Sequence, residues 1–272
     1  MTEKQVDLLE KEKIMQLCGD LPWAADLHVD QTLDSTNLAA RELAQSGAAA
    51  GTCVICDRQT AGRGRLGRSF YSPGGEGLYM SVILRPDALP EQIMPLSALC
   101  AVAVCDAIRA VCGVMPQIKW TNDLILGGKK LAGILTELST DPETRAVRYA
   151  IVGIGVNVHQ RRFPADLEQI AGSIFTQTGK TVSRNRLAAA ILRELYRLDA
   201  LLPGDCSRQM QRFAENCLTV GKRIAILRGD ERKEATALRV LPDGALFVRF
   251  DDGTEQAVSC GEVSIRGMYG YI

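Results

Sequence analysis

Short apolar runs separated by glycines and polar residues recur up to about position 157 and predict a β-sheet. Such runs, bounded by turn residues, are typical of buried strands. Gly127 and Gly128 lie between two of them and suit the two-residue turn of a β-hairpin. The predicted strands cover residues 52–56, 77–84 (pairing antiparallel with the first), 118–120, 123–137 (as a hairpin) and 148–157.

Longer segments predict helices between and after these strands. Residues 95–112 are rich in alanine, leucine and valine, and they predict a buried helix that ends at Gly113. Residues 183–202 are amphipathic, with Ser183 in the N-cap position. Further helices are predicted over residues 1–20, 34–47 and 205–217.

After position 219 the pattern changes to short alternating strands with Gly-Asp and Asp-Gly turns between them, which predicts a small barrel. We therefore expect an N-terminal helical extension (1–25), a large domain (26–218) and a small β-domain (219–272). The predicted barrel strands cover residues 223–227, 234–241, 245–250, 256–259 and 263–265.

The amino-acid composition disfavours several classes of function. Hydrophobic residues make up 46% of the 272 positions, enough for a sizeable core, and the 32 basic and 32 acidic residues cancel. This balance gives no general electrostatic reason to bind nucleic acid or a membrane. We expect no stretch to span a bilayer, and the charged N-terminus lacks the apolar core of a signal peptide. The nine scattered cysteines are typical of reduced thiols, so we expect a cytoplasmic protein.

Zinc and triad chemistry are not expected. Cys53 and Cys56 have the CxxC spacing, but on a strand their side chains would point to opposite faces. Neither His28 nor His159 has a cluster of cysteines and histidines around it in the sequence. A zinc site or a Ser-His-Asp triad is therefore disfavoured.

Residues 57–68, here called the arginine loop, combine glycines and arginines directly after a predicted strand. Glycine lets the backbone approach a ligand, and the guanidinium fork suits phosphate and carboxylate. The loop is expected to close over an anion, although a solvated basic turn or a nucleic-acid tail would have the same composition. It is neither a P-loop nor a dinucleotide fingerprint. Its arginines are Arg63, Arg65 and Arg68, and the interleaved glycines are Gly62, Gly64 and Gly67.

Three further stretches carry polar groups of similar character. Residues 34–37 (Asp-Ser-Thr-Asn) begin a predicted helix, where a serine or threonine is equally explained as an N-cap. Residues 119–123 (Lys-Trp-Thr-Asn-Asp) place a cation, an amide and a carboxylate at a strand end. Lys130 begins an otherwise apolar strand, so its charge needs an anionic partner unless the side chain snorkels from an edge.

These motifs occur in the order seen in biotin protein ligases. From about residue 26 to the end, the chain resembles bacterial biotin–acetyl-CoA-carboxylase ligases in the form without an N-terminal DNA-binding domain. The resemblance implies an α+β catalytic fold like that of class II synthetases, with a mixed sheet flanked by helices, followed by an SH3-like β-barrel. The motifs are residues 34–37 (DSTN), 59–68 (QTAGRGRLGR), 119–123 (KWTND), 130–135 (KLAGIL) and 153–157 (GIGVN).

The resemblance implies a two-step acyl transfer. The carboxylate of biotin attacks the α-phosphate of ATP to give biotinyl-5′-AMP, and a lysine of a biotin carboxyl carrier protein then displaces AMP. Attack of one anion on another needs cations, which the arginine loop and Mg²⁺ bound with ATP can provide. No metal cluster of the protein's own is expected.

By this resemblance Lys130, Arg65 and Asp123 are the expected catalytic residues. Lys130 would stabilise charge on the biotin carboxyl and the α-phosphate. Asp123 would receive a proton from the acceptor lysine or orient it. The expected biotin and adenylate contacts are Ser35, Thr36, Asn37, Gln59, Arg63, Gly64, Arg65, Lys130, Gly133, Gly153 and Gly155, the last three leaving room for the ligand. The expected nucleotide contacts are Arg68, Phe70, Trp120, Asn122 and Asn157, with Trp120 packing under the site.

Three positions depart from the family's usual pattern. Thr121 replaces a proline, which is expected to loosen the turn that carries it. Phe70 replaces a tryptophan that stacks on adenine in some members, so nucleotide packing should be weaker. Leu66 replaces a frequent arginine and lowers the charge of the arginine loop by one. None of the three is a residue that the chemistry requires.

Three alternatives remain open. A lipoate–protein ligase has a similar fold and also forms an acyl-adenylate, but the arginine loop and residues 119–123 favour biotin. A biotin-sensing repressor needs a DNA-binding domain, for which the residues before Asp34 are too few, so no repressor activity is expected. A non-catalytic nucleic-acid binder is disfavoured by the formal net charge of zero.

Overall fold

The computed structural model describes residues 7–259 and 264–267, and in these ranges the chain forms two β-sheets with helices packed around the larger one. The strands are β1 (Leu27–Leu33), β2 (Cys53–Gln59), β3 (Gly77–Leu84), β4 (Gln117–Lys119), β5 (Asp123–Leu126), β6 (Lys129–Thr140), β7 (Val147–Asn157), β8 (Arg223–Arg228), β9 (Glu231–Val240), β10 (Leu246–Phe250), β11 (Glu255–Val258) and β12 (Ser264–Gly267). The α-helices are α1 (Lys11–Cys18), α2 (Thr36–Gln45), α3 (Leu96–Cys112), α4 (Ile174–Thr178), α5 (Arg184–Asp199) and α6 (Ser207–Glu215).

The larger sheet is mixed. Its strand order is β1-β2-β3-β7-β6-β5-β4, with β1 parallel to β2 and the other pairs antiparallel. β3 is buried along its whole length, because apolar residues follow each other without a polar break except Ser81. The long pairing of β6 with β7 places Gly133 opposite Gly155. The expected α+β fold with a mixed sheet is confirmed.

Helices cover both faces of this sheet. Along β2, Cys53 and Ile55 belong to the main core with α3 and α5, whereas Val54 belongs to a smaller cluster with α2. This division follows from the alternation of side chains along a strand. Residues Pro90–Cys112 do have the length and apolar composition of a membrane span, contrary to expectation, but most of this segment is buried inside the protein. A core helix passes the same test, and α3 is one.

The smaller sheet is antiparallel, in the order β11-β10-β9-β8-β12, as expected for an SH3-like domain. Trp120, which follows β4 of the larger sheet, contacts the smaller sheet through a hydrogen bond. The indole Nε1–H of Trp120 donates to the carbonyl of Gly244 at 2.9 Å, and its backbone N–H donates to Thr219 Oγ1 at 2.9 Å. The division of the chain at 25 and 218 stays a prediction.

The N-terminal segment is tied to the large sheet's helices. α1 is shorter than the predicted helix, it ends at Gly19 as expected, and residues 1–6 lie outside the described ranges. The segment before it is held by Arg184, a fully buried arginine whose guanidinium donates to the backbone carbonyl of Asp7. The same guanidinium lies 2.7 Å from Asp57, where the arginine loop begins.

Most element boundaries agree with the sequence pattern. α3 ends at Gly113 in the left-handed conformation, and Gly127 and Gly128 have the positive φ of the predicted hairpin turn. β1 and α4 were not predicted. β1 is an edge strand with mostly partly exposed, polar side chains, so it has no apolar run. α5 ends at Asp199 rather than at 202, and position 263 of the last predicted strand lies outside the described residues.

Candidate active site

One cavity of about 590 Å³ gathers the predicted site residues from separate stretches of the chain. It lies where the arginine loop, the start of α2, the turn between β4 and β5, and the glycines of β6 and β7 meet. Of the residues predicted from the sequence, Asn157 is not among those lining the cavity. The others that line it are Ser35, Thr36, Asn37, Gln59, Arg63, Gly64, Arg65, Arg68, Phe70, Trp120, Asn122, Asp123, Lys130, Gly133, Gly153 and Gly155.

The start of α2 presents a fixed set of polar groups. Ser35 occupies the N-cap position, but its side chain makes no capping hydrogen bond, so capping does not account for it. Thr36 donates its backbone N–H to Gln59 Oε1 at 2.9 Å. Ser81 Oγ lies 2.8 Å from Thr36 Oγ1 and 2.6 Å from Asn37 Oδ1, all in the protein interior. The positive end of α2 and these buried polar groups suit a small anionic ligand.

The glycines of β6 and β7 make room for side chains. A Cβ at Gly153 would lie 1.9 Å from Asn37 Oδ1, and one at Gly155 would lie 2.5 Å from the ring of Phe70. A Cβ at Gly133 would lie 3.4 Å from the same ring. Asn37 and Phe70 thus pack against Gly153 and Gly155 and form part of the cavity wall. That the glycines also leave room for the ligand stays a prediction.

The arginine loop folds back on itself across the cavity. Gly64 N–H donates to the carbonyl of Arg68 at 2.6 Å, and Phe70 N–H donates to that of Gly62 at 2.8 Å. Leu66 is 58% exposed at the tip and adopts a φ of 55°, in the left-handed region. Closure of the loop over a ligand stays a prediction.

Glu137 forms ion pairs with two arginines beside the start of α2. Its carboxylate lies 2.6 Å from Arg41 and 3.7 Å from Arg63, and it accepts from Asn37 Nδ2 at 2.8 Å. Sequence reasoning missed Glu137 as a supporting residue. A carboxylate within a largely apolar strand that begins at Lys130 was the signal, since a partly buried charge needs partners.

Hydrogen bonds hold the turn between β4 and β5, and the loosening expected from Thr121 stays a prediction. Asn122 Nδ2 donates to the carbonyl of Ile134 at 2.8 Å, and Ile134 N–H donates back to the carbonyl of Asn122 at 2.9 Å. Thr121 is itself buried, and its Oγ1 accepts from Arg65 Nη1 at 3.0 Å. Trp120 is also buried, and it lines the cavity.

Lys130 has the anionic partner that its position required. Its Nζ lies 2.6 Å from Asp123 Oδ1, with the two side chains 26% and 17% exposed. Lys129 Nζ donates instead to the backbone carbonyl of Glu168 at 2.7 Å. The neighbouring lysines thus have different partners, as the alternation along a strand predicts.

Asn157 does not line the cavity, and its predicted place in the nucleotide site stays a prediction. Its Nδ2 lies 3.0 Å from the carbonyl of Gly172 and 3.4 Å from that of Lys130. Sequence reasoning also missed the buried hydroxyl of Ser81, whose signal was a polar residue in an otherwise apolar strand. Further lining residues that it missed are Leu66, Ser69, Lys119, Ile134, Leu135, Ile154 and Ile170.

The cysteines stand apart from this chemistry. Those in the described part of the chain are free thiols, nearly all buried. Burial raises the pKa of the Cys56 thiol to about 12 and that of Cys53 further still, which leaves both poor nucleophiles and metal ligands. Within residues 7–259 and 264–267, no three His, Cys, Asp or Glu side chains are grouped to hold a metal ion.

Comparisons with known proteins agree with this site. A sequence model of the biotin/lipoate A/B protein ligase family matches residues 29–157. The chain is 43% identical over 162 residues to a bifunctional ligase/repressor of Bacillus spizizenii, covering 59% of this chain and 49% of that protein. It therefore spans about half the length of that relative. It is 31% identical over 254 residues to the biotin–[acetyl-CoA-carboxylase] ligase of Mycobacterium tuberculosis, covering 91% and 92% of the two chains.

Solved structures show the same fold. The biotin protein ligase of Aquifex aeolicus in complex with biotin and ATP matches with a TM-score of 0.76 at 27% identity, covering 89% of this chain and 99% of that one. That of Leishmania major in complex with biotinyl-5-AMP matches with a TM-score of 0.60 at 28% identity, covering 86% and 99%. Fold and cavity define a protein of the biotin/lipoate ligase class. Within it, this chain belongs to the biotin protein ligases.

Proposed function

We propose that this protein activates biotin with ATP and transfers it to a lysine of a biotin carboxyl carrier protein. The observation that carries the proposal is the meeting, in one cavity, of the Lys130–Asp123 ion pair, the positive end of α2 and the arginine loop. Similarity to ligases that bind biotin, ATP or biotinyl-5-AMP supports the same substrates here.

The first half-reaction joins two anions. A carboxylate oxygen of biotin attacks the α-phosphorus of ATP, the new oxygen–phosphorus bond forms, and pyrophosphate leaves. Lys130 stabilises the charge that grows on the transferred phosphate, and Arg63, Arg65 and Arg68 add positive charge at the same cavity. The start of α2, with Thr36 and Asn37, holds the biotin end.

The second half-reaction needs a neutral amine. A lysine with an ordinary pKa of about 10.4 is almost wholly protonated at neutral pH. Asp123 is the carboxylate among the described residues that line the cavity, and it orients the incoming amine or takes its proton. The amine nitrogen then attacks the biotinyl carbonyl carbon, and AMP leaves with the electrons of the broken carbon–oxygen bond.

Mg²⁺ fits this site as a companion of ATP. Mg²⁺ in nucleotide sites is held by one or two carboxylates together with substrate phosphates. Asp123 is already paired with Lys130, and no acidic cluster occurs among the described residues, so the ion would be held mainly by the phosphates of ATP. When bound, it supplies further charge neutralisation.

The partner follows from the chemistry. The acceptor is a folded carrier domain that presents one lysine at the cavity mouth, beside the arginine loop. The loop keeps water from the adenylate until that lysine arrives, because a mixed anhydride hydrolyses in water. A cytoplasmic location suits a reaction that consumes ATP and modifies a metabolic enzyme.

The acid that is activated can be tested by isotope exchange. Biotin should support exchange of labelled pyrophosphate into ATP, and an excess of lipoate should not compete. Exchange that lipoate supports and biotin does not would reassign the protein to the lipoate branch of its class. A matched control omits only the acid and should show no exchange.

A further inference from the structure

Arg65 joins two walls of the cavity that are far apart in the sequence. It lies at the tip of the arginine loop, which leaves β2. Its Nη1 donates to Thr121 Oγ1 at 3.0 Å and to Asn122 Oδ1 at 3.2 Å, on the turn between β4 and β5. The arginine loop is thereby tied across the cavity.

The turn between β4 and β5, which accepts these hydrogen bonds, is itself held by further hydrogen bonds. Thr121 is only 3% exposed. Asn122 exchanges two hydrogen bonds with the backbone of Ile134 on β6, and the backbone of Trp120 is held by Thr219. Two oxygens are therefore fixed in place to accept from one guanidinium.

The tip of the arginine loop is mostly exposed to solvent. Leu66, Gly67, Arg68 and Ser69 are exposed, so they bury almost nothing against the rest of the protein. Segments with few buried contacts open at low free energy. A hydrogen bond to a charged group is strong enough to shift such an opening equilibrium by about ten- to a hundred-fold. The contact with Thr121 is thus large on the scale of the motion that it opposes.

We propose that Thr121 is a positioning residue, whose hydroxyl holds Arg65 and keeps the arginine loop across the cavity before substrate binds. Its consequence for catalysis rests on the proposed function, because a tethered loop slows the escape of the adenylate. The tether itself is a property of the protein alone.

Limited trypsin digestion without ligand tests the tether. Thr121→Val removes the hydroxyl at nearly the same volume, and cleavage after Arg63, Arg65 and Arg68 should become about tenfold faster. Thr121→Ser keeps a hydroxyl and should be cleaved at the wild-type rate. Thr254→Val, which removes a distant threonine hydroxyl that donates to Asp252, should also leave that rate unchanged.

Cleavage after Arg184, which is fully buried at the start of α5, serves as an internal measure of general unfolding and should be the same in all variants. If valine unsettles the fold, Thr121→Ala removes the same hydroxyl in a smaller side chain and decides the question. Equal loop cleavage in a folded hydroxyl-free variant and in the wild type would overturn the proposal, and so would a serine variant that behaves like valine.

A second readout separates this inference from the proposed function. Release of biotinyl-AMP, formed on the enzyme and chased with unlabelled ligand, should be about tenfold faster in Thr121→Val and unchanged in Thr121→Ser. A wild-type protein that forms no adenylate, with loop cleavage that responds to Thr121, would refute the function and support the tether. Normal adenylate formation, with no effect of Thr121 variants on loop cleavage or adenylate release, would support the function and refute the tether.

Discussion

At the scale of single residues, the chemistry depends on charges that are partly removed from water and held in pairs. Lys130 and Asp123 are mostly buried and 2.6 Å apart. Removal of one member of such a pair leaves the other with an uncompensated charge, whereas an exposed pair contributes little. In the proposed mechanism, this ion pair links the cation of the first half-reaction to the carboxylate of the second.

The first prediction compares adjacent lysines. Lys130→Ala should slow adenylate formation by on the order of 100–1000-fold, the scale for loss of one preorganised charge donor. Lys129→Ala is the matched control, because Lys129 donates to the carbonyl of Glu168, and it should change the rate little. Biotin-dependent pyrophosphate exchange measures both.

Preformed biotinyl-AMP separates the two steps for the same variants. With Lys130 acting in both, Lys130→Ala should also transfer biotin slowly from supplied adenylate. Transfer at the wild-type rate would restrict Lys130 to the first step. A larger defect in Lys129→Ala than in Lys130→Ala would contradict the assignment of the catalytic lysine.

The second prediction concerns Gly153, where the space belongs to Asn37. Gly153→Ala would place its Cβ 1.9 Å from Asn37 Oδ1, so Asn37 must move and its contacts with Ser81 and Glu137 weaken. Overpacking of this kind costs roughly 1–3 kcal/mol. Denaturant unfolding should show this loss, together with weaker biotin binding.

A double-mutant cycle supplies the control. In the Asn37→Ala background, Gly153→Ala should destabilise much less, because the clashing atoms are gone. Equal destabilisation in both backgrounds would show that the glycine is needed for a reason other than room for Asn37.

At the scale of elements, local pattern was sufficient where one face or a whole element is buried. β3 and α3 are apolar almost throughout. Gly113 ends α3 with a positive φ, and Gly127 and Gly128, also with positive φ, form the turn between β5 and β6. β1 was missed because an edge strand with exposed polar side chains has no such pattern. Its place is set by pairing with β2, which is a tertiary effect.

The third prediction concerns the N-terminal segment and its pH dependence. Burial alone would raise the pKa of Asp7, but the hydrogen bonds from His159 and the Arg184 backbone, with the charge of Arg184, lower it overall. A lowered folded-state pKa stabilises the fold above the ordinary value of 3.8 and loses this effect as the pH falls through the lowered pKa.

Asp7→Asn should therefore reduce the free energy of unfolding by about 1–3 kcal/mol at pH 6.5, the scale of hydrogen bonds to a charged group. The difference from the wild type should narrow when the pH is lowered from 6.5 to 3, below the ordinary value of 3.8 and closer to the lowered pKa of Asp7. Urea unfolding at both pH values measures it. A difference that stays constant or widens on acidification would contradict the assigned role of the Asp7 charge.

At the scale of the whole molecule, the site is an assembly of stretches that the fold brings together. Most residues lining its cavity were predicted because five contiguous motifs resemble those of biotin protein ligases. The contacts between these residues could not be predicted from the sequence. The ring of Phe70 over Gly155, Arg65 on Thr121 and Trp120 on Gly244 join distant segments, and no local pattern specifies such partners.

The most direct test of biotin transfer by this protein is the intact mass of a biotin carboxyl carrier domain after incubation with the protein, ATP, Mg²⁺ and biotin. We expect the carrier to gain the mass of one biotinyl group on one lysine, and we expect no gain when the enzyme, ATP or biotin is omitted. A carrier that stays unmodified under conditions in which a known biotin protein ligase modifies it fully would contradict the proposed function.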